Sequence, residues 1–583
     1  MSFLRIVKKF NKILTTHQKV RVFELMILMI IGGFLETFSV SLMIPFMNAV
    51  MEPEKTMEEW YVRYVCEIFN ITDITQFLVF IAVVLAIIYV LKNFYLMLEY
   101  NLQYRFVYGN MFAMQEKILN VFIHRPYEYF LMVNSGEVIR IVNSDTIEGF
   151  NLLITLLSLM TELVVSAMLI ITILVINPVA TVCIAMLMLV MLAGINYVIK
   201  PKLHQAAIDN QNSGTGMNKW MLQSIQGIKE LKVMGKEDFF IENYRRYGRV
   251  HVETNKRHQV LGIYPRFIIE AFSMTAMFIV VAVMIYSGVE LESVIPLMTA
   301  IALAAMRLLP SINRISSAMA MMAYNEPKLD KMMENMEDVS KVSESLITDE
   351  IHDSTGEIHN LSDKIEFRGV TYHYPETDKN VLTDVDFTIE KGESVGIVGA
   401  SGAGKTTAVD IVLGLLEPQN GAITVDGVNI RKDRRGWLNQ IGYIPQAIFM
   451  LDDTIRANVA FGEKKEDISD DAVWIALKEA SLDEYVRSLP RGLDTEIGER
   501  GMRLSGGQRQ RIGIARALYY NPDVLIFDEA TSALDNETES AIMDSINQLH
   551  GRKTMIIIAH RLTTIESCDH ILRVADEKIS RER

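Results

Sequence analysis

The 583 residues exceed what one ordinary core can organise, so at least two domains are expected. Half the residues (50%) are hydrophobic and 34 are Met, a composition that argues against a soluble enzyme. The net charge of −14 excludes a nucleic-acid binder, which needs a basic face to replace phosphate counterions. Cys66, Cys183 and Cys568 are too scattered for a disulfide framework or a zinc site, and they read as small hydrophobes.

Near the N-terminus, Arg5, Lys8, Lys9, Lys12, Lys19 and Arg21 precede an apolar run longer than a cleavable signal carries, with no small-residue cleavage pattern after it. It reads as a retained first membrane helix with a cytoplasmic basic flank. About 20 apolar residues cross ~30 Å of hydrocarbon. Six stretches qualify: Val22–Met47, Phe77–Leu98, Leu152–Ile176, Val179–Ile199, Phe267–Tyr286 and Ser293–Ile315. Basic residues crowd the segments after the second and fourth, among them Arg105, Arg125, Lys200, Lys229 and Arg245. Those segments belong in the cytoplasm, and the short or acidic connections outside. The result is a multi-pass chain with a cytoplasmic N-terminus.

Between the first two spans, Met57, Trp60, Tyr61, Tyr64, Val65 and Ile68 fall on one helical stripe, with Glu58, Glu59, Arg63 and Glu67 opposite. This is an amphipathic helix too short to span. Two readings are open: it lies at the outer membrane interface, or it packs on the protein's own outer loops. Charges also occur in or beside the spans: Glu36, Lys92, Glu162, Arg266, Glu270 and Arg307. Each costs about 2.5–3.5 kcal/mol on insertion scales, so each should face a cavity or a partner. Arg266 and Glu270 are one helical turn apart and can pair. Arg307 lies among Ala300, Ala302, Ala304 and Ala305, which suits close packing or a cavity wall. Arg266, Arg307 and, more weakly, Lys92 are the candidate ligands for an anionic head group, because an Arg fork gives two hydrogen bonds to phosphate.

Residues 331–364 are acidic and polar and read as a linker from a membrane domain (1–330) to a second domain (365–583). There, short β-rich runs alternate with helical patterns, an α/β organisation. The apolar run ending at Gly399 leads into Ala400, Ser401, Gly402, Ala403, Gly404, Lys405, Thr406 and Thr407, a strand–loop–helix P-loop. Its backbone N–H groups cradle phosphates, Lys405 adds positive charge and the Thr406 hydroxyl offers a ligand to Mg²⁺. Val524–Phe527 form a buried strand ending in Asp528, a second Mg²⁺ ligand, and Glu529, placed to polarise the attacking water. Ser505, Gly506, Gly507 and Gln508 open a helix and form a second phosphate-facing cap.

The run Leu504-Ser505-Gly506-Gly507-Gln508 resembles the signature of ATP-binding cassette proteins. The resemblance extends along the whole chain. It implies that Tyr374 stacks on adenine, that Gln446 is the Q-loop residue acting in catalysis and on Mg²⁺, that Glu496–Gly501 is an exporter X-loop, that Ser532–Asp535 is the D-loop, and that His560 is the catalytic switch histidine. Arg125–Phe130 and Gln226–Glu230 are similar to cytoplasmic couplers. The implied fold is multidomain: an all-α membrane domain of six transmembrane helices plus an α/β P-loop ATPase domain. The implied assembly is a homodimer with two ATPs, each held between one copy's P-loop and the other's signature. The final residues, 569–583, lack the glycine turn and further helix usual in the family.

The membrane half resembles the bacterial lipid-linked oligosaccharide flippases through Leu35-Glu36-Thr37, Ile44-Pro45-Phe46, the outer amphipathic helix and Arg307-Leu-Leu-Pro310. That implies an anionic, amphipathic, lipid-linked substrate moved outward across the bacterial cytoplasmic membrane. Export of peptides or hydrophobic drugs is the alternative. A basic cavity favours the first, and an apolar or acidic one the second. Six fused spans exclude a soluble cassette protein, and no residue supports a receptor or channel regulator.

Overall fold

In the computed structural model all residues are described except 1, 43–45, 47–49, 51–55, 57, 58, 72, 134, 177, 287–309, 335, 337–357, 359, 376, 530–546, 560–564 and 583. The chain divides into two compact units: Met1–Ile123 with Asn134–Lys341, and His124–Val133 with Val342–Arg583. The short segment 124–133, which holds the expected coupler Arg125–Phe130, is thus part of the second unit.

The first unit is helical. Its elements are α1 (Ser2–Ile13), α2 (Thr16–Ser41), α3 (Trp60–Phe69), α4 (Ile74–Ile123), α6 (Thr146–Ile176), α7 (Pro178–Gln226), α8 (Ile228–Met234), α9 (Glu237–Tyr286) and α10 (310–334). The helix α5 (Tyr127–Met132) lies in the 124–133 segment. Among the described residues, 16–39, 74–123 and 136–171 are long and apolar enough to cross a membrane. Helices also occupy the expected fourth and fifth spans, whereas only the end of the sixth, from 310 onward, falls within the described residues. Residues 43–45 and 47, at the end of the expected first span, and Arg307 with the alanines before it also lie outside them.

Amphipathy explains how α1 docks. Ile6 and Phe10, four residues apart, are buried with Leu25, Met29, Leu153 and Met322. Arg5 pairs with Glu326 at 3.4 Å and Lys9 pairs with Asp330, tying α1 to α10. The face of α3 that turns inward differs from the expected apolar stripe, of which Val65 is half-buried. The small Val62 and Cys66 pack on Phe77 at the start of α4, whereas Trp60, Tyr64 and Ile68 are exposed. Compact side chains permit close approach of α3 to α4, and the aromatic residues with polar handles remain outside.

Charges inside the membrane unit find partners other than those expected. Glu162 on α6 pairs with Arg314 on α10 at 2.5 Å. The Gln103 amide donates to Glu99 at 2.9 Å. Lys92 is buried over the Tyr89 ring at 4.5 Å on its own helix. Arg266 and Glu270 are both exposed and no ion pair joins them among the described residues, so the expected one-turn pairing does not form.

The second unit holds two sheets. Strands β1 (Lys364–Tyr372), β2 (Leu382–Glu390), β4 (Asn420–Val425) and β5 (Val428–Asn429) form an antiparallel sheet in the order β2-β1-β4-β5. The other runs β10-β9-β3-β8-β7-β6, with β3 (Ser394–Gly399), β6 (Ile441–Ile444), β7 (Val524–Asp528), β8 (Thr554–Ile558), β9 (His570–Ala575) and β10 (Lys578–Arg581). It is parallel except for β10 against β9. All five residues of β7 and of β8 are buried, which explains their continuous apolar runs.

Two cores flank this sheet. One packs β1, β2 and β3 with α11 (Lys405–Val412) and α12 (Arg434–Leu438). The other gathers α13 (Ile455–Val459), α14 (Asp470–Glu479), α15 (Asp483–Ser488) and α16 (Gly506–Leu518). In the first core, Trp437 is fully buried and its indole N–H donates to the Val412 carbonyl at 2.7 Å, which pins the C-terminal end of α11. Trp437→Ala is therefore expected to cost about 3–5 kcal/mol through the cavity it leaves. Trp437→Phe, which orphans the Val412 carbonyl but keeps a ring, should cost about 1–3 kcal/mol. Thermal unfolding of the protein in detergent, with the transition of the second unit followed by calorimetry, ranks the variants; equal melting temperatures would contradict the pinning role.

Candidate active site

The loop from β3 into α11 needs glycine at two positions for different reasons. A Cβ on Gly399 would meet the Val574 carbonyl oxygen at 2.4 Å. Gly404 has φ +105°, a left-handed conformation costly for other residues, and a Cβ there would meet Val381 at 2.8 Å. The turn sets the N-terminus of α11, with its unpaired N–H groups, at the loop. Ser401, Gly402 and Thr406 are exposed and Ala403 is half-buried. Lys405 is 5% exposed and its ammonium donates to the carbonyls of Gly399 at 3.0 Å and Ala400 at 3.1 Å, which holds the charge over the loop. Thr407 is buried, and its hydroxyl lies 3.0 Å from that of Tyr374, whose ring packs edge-on against Tyr372.

Asp528 ends β7 and is 6% exposed. The Tyr443 hydroxyl donates to it at 3.4 Å. Burial, and next the neighbouring charge of Glu529, push the Asp528 carboxyl above the usual carboxylate range, while Tyr443 and Lys405 pull it back. Glu529 sits at φ +49° in the left-handed region, a strained position for a non-glycine residue. Its N–H donates to the Ile558 carbonyl at 3.1 Å, and the Gln446 amide donates to its carboxylate at 2.7 Å. The structure therefore brings Gln446 to Glu529. Asp410, one turn after Thr406, is half-buried, and its carboxyl is pushed up to about 6 by burial and then by the charge of Asp528.

The signature segment is built independently in the other core. Ser505 caps α16 in a reciprocal box: its hydroxyl accepts from the Gln508 N–H at 3.2 Å, and its own N–H donates to the Gln508 side chain at 2.8 Å. Gly506 is exposed and Gly507 half-buried. Arg509 reaches back to the carbonyls of Gly501 at 3.2 Å and Leu504 at 2.8 Å, bracing the turn before the cap. His560 and the expected D-loop, 532–535, lie outside the described residues.

The side chains present suit a magnesium nucleotide. Asp528, Glu529 and Asp410 outnumber Lys405 as charges, and the excess suits a divalent cation held by Asp528 and Thr406. Such an ion would neutralise phosphate charge. Sequence reading missed Asp410 and Tyr443. The one available signal was spacing, since Asp410 stands four residues after Thr406 on one helix face.

A buried parallel sheet, a P-loop and an acidic strand end define a P-loop ATPase. Residues 382–532 match the ABC transporter family, and residues 22–306 match the ABC transporter transmembrane region. The chain belongs to the ABC transporters, with membrane and ATPase regions fused in one polypeptide. It is 32% identical over 388 residues to the ATP-dependent lipid A-core flippase of Methylobacillus flagellatus, covering 65% of this chain and 63% of that protein. It is 42% identical over 227 residues to the uncharacterized ABC transporter ATP-binding protein YwjA of Bacillus subtilis, 39% of each chain. These matches span 39–63% of the length of the relatives concerned. A bacterial Atm1-family ABC exporter solved with ATP bound shares the fold, with TM-score 0.71 and 23% identity over 96% of this chain and 94% of that one.

The roles expected of these residues predict separable outcomes. Lys405→Ala is expected to weaken ATP binding by about 10–100-fold, as loss of charge-assisted hydrogen bonds does. Glu529→Gln should bind ATP normally and lose at least ~100-fold in turnover, as loss of a general base does. Equilibrium binding of a fluorescent ATP analogue beside phosphate release in nanodiscs distinguishes the two, and near-wild-type hydrolysis by Glu529→Gln would remove that residue from the role.

Proposed function

We propose that the protein is one half of an ATP-driven outward transporter of the bacterial cytoplasmic membrane, working as a homodimer and flipping an anionic lipid-linked oligosaccharide. One observation carries the dimer: α11, which Lys405 opens, and α16, which Ser505 caps, pack in separate cores of the ATPase unit. A sandwich of two copies pairs one P-loop with the other signature. ATP with Mg²⁺ closes it, Glu529 activates water, His560 contacts the γ-phosphate, and hydrolysis reopens it. The relatives named lipid A-core flippase support a lipid substrate. The exposed Trp60 and Tyr64 of α3 suit a membrane interface. Arg266 and Arg307, with Lys92, are the proposed head-group ligands.

A second reading has one observation in its favour. The carboxylates of Glu36, Glu99 and Glu162 lie within electrostatic reach of one hydroxyl, that of Tyr100, with Arg314 the one basic group acting there among the described residues. That acidity suits a cationic amphipathic drug.

Two experiments decide. A mixed dimer of Ser505→Arg and Lys405→Ala subunits keeps one intact composite site and should retain single-site hydrolysis, whereas each pure mutant is inactive; full activity in a pure mutant contradicts shared sites. In proteoliposomes, wild type should move a diphosphate-linked lipid, and Arg307→Ala should abolish that movement while hydrolysis survives. Stimulation of hydrolysis by cationic amphipaths alone would favour the second reading.

A further inference from the structure

The helix α11 carries a carboxylate that no motif explains. Asp410 is flanked by Val409 and Ile411, both core residues, and no hydrogen bond or ion pair engages its carboxylate among the described residues. A half-buried acid without a protein partner is costly to keep. Its position is not arbitrary. Thr406 and Asp410 are spaced i, i+4, so Asp410 lies one turn below the proposed Mg²⁺-binding hydroxyl on the same helix face. Across from it stands the end of β7: Asp410 lies in the field of Asp528, and Tyr443, which donates to Asp528 at 3.4 Å, lies in the field of both. Lys405, whose charge acts on Asp528, donates to the carbonyls of Gly399 and Ala400. Asp410 and Asp528, on adjoining elements, therefore repel each other, and among the described residues Lys405 offsets that repulsion only at Asp528.

We propose that Asp410 is a positioning residue of the magnesium–nucleotide site: its charge raises the site's affinity for a divalent cation and, with Tyr443, fixes the orientation of Asp528. The proposal rests on the reading of this chain as an ATP-driven transporter and assigns it a residue outside the motifs. A merely solvated helix acid would leave metal binding unchanged, and a structural one would alter stability instead. A positioning acid alters metal affinity selectively, because the phosphate cradle of Gly399–Thr406 is untouched.

The test uses Mn²⁺ as probe on the full-length protein in nanodiscs. Mn²⁺ affinity is read by electron paramagnetic resonance at saturating ADP, and metal-free ADP binding is read in EDTA. Asp410→Asn keeps the shape and removes the charge. It should weaken Mn²⁺ binding about 10-fold, as loss of an outer-shell partner does, with metal-free ADP affinity and melting temperature unchanged. Asp410→Glu should restore most of that affinity. Tyr443→Phe, which leaves α11 intact, supplies a second arm and should weaken Mn²⁺ binding several-fold. In hydrolysis, the Mg²⁺ concentration for half-maximal rate should rise more than the maximal rate falls. Equal Mn²⁺ affinity in wild type, Asp410→Asn and Tyr443→Phe overturns the proposal, as does a parallel loss of metal-free ADP binding. If wild type itself binds no Mn²⁺ with ADP, the transporter reading fails instead.

Discussion

Negative charge gathers at the end of a buried parallel strand, and the ATPase unit is arranged around it. Asp528 terminates a strand with no exposed residue, Glu529 follows it in a strained left-handed conformation, and Asp410 adds a third carboxylate from α11. Burial makes the charges of Asp528 and Asp410 expensive. The surrounding elements restrain what repulsion would scatter: Gln446 grips Glu529, Tyr443 holds Asp528, and Trp437 anchors the helix bearing Asp410 and Lys405. Under the proposed function, a magnesium nucleotide would relieve this repulsion by supplying cationic charge beside the carboxylates and phosphate at the α11 N-terminus.

The segment 124–133 brings a piece of the membrane half's chain into that unit. Glu128 accepts from the Tyr372 hydroxyl at 3.3 Å and from the Glu417 N–H at 3.4 Å. Tyr127 lies in the fields of Asp410 and Tyr374. Covalently, the segment continues α4, a 50-residue helix with an apolar run long enough to cross a membrane.

Much of this was legible in the sequence because the relevant constraints are local. Apolar run length set the spans, and glycine spacing with a lysine and threonine set the P-loop. What escaped depends on tertiary neighbours. Hydropathy fades where hydrocarbon ends, so it gave no hint that α4 and α9 each continue for 50 residues. The α3 helix was legible, but Trp60, Tyr64 and Ile68 of its expected stripe are exposed, and the inward face is set by Val62 and Cys66 on Phe77, which the stripe did not include. The Arg266–Glu270 spacing allowed a pair that does not form, whereas Glu162 pairs with Arg314 across two helices, which spacing along one helix cannot reveal. Spacing alone put Asp410 on the face of Thr406, but its neighbour Asp528 lies more than a hundred positions along the chain.

Disulfide trapping across two copies tests the shared-site arrangement most directly. With Cys66, Cys183 and Cys568 replaced by alanine and Glu529→Gln included to hold ATP, Ser401→Cys in the P-loop and Ser505→Cys in the signature are introduced together. Mild oxidation with ATP and Mg²⁺ should yield a covalent dimer on a non-reducing gel, and neither single-cysteine protein should yield one. Cross-linking confined within one chain, or a dimer band indifferent to ATP, would contradict a nucleotide sandwiched between two copies.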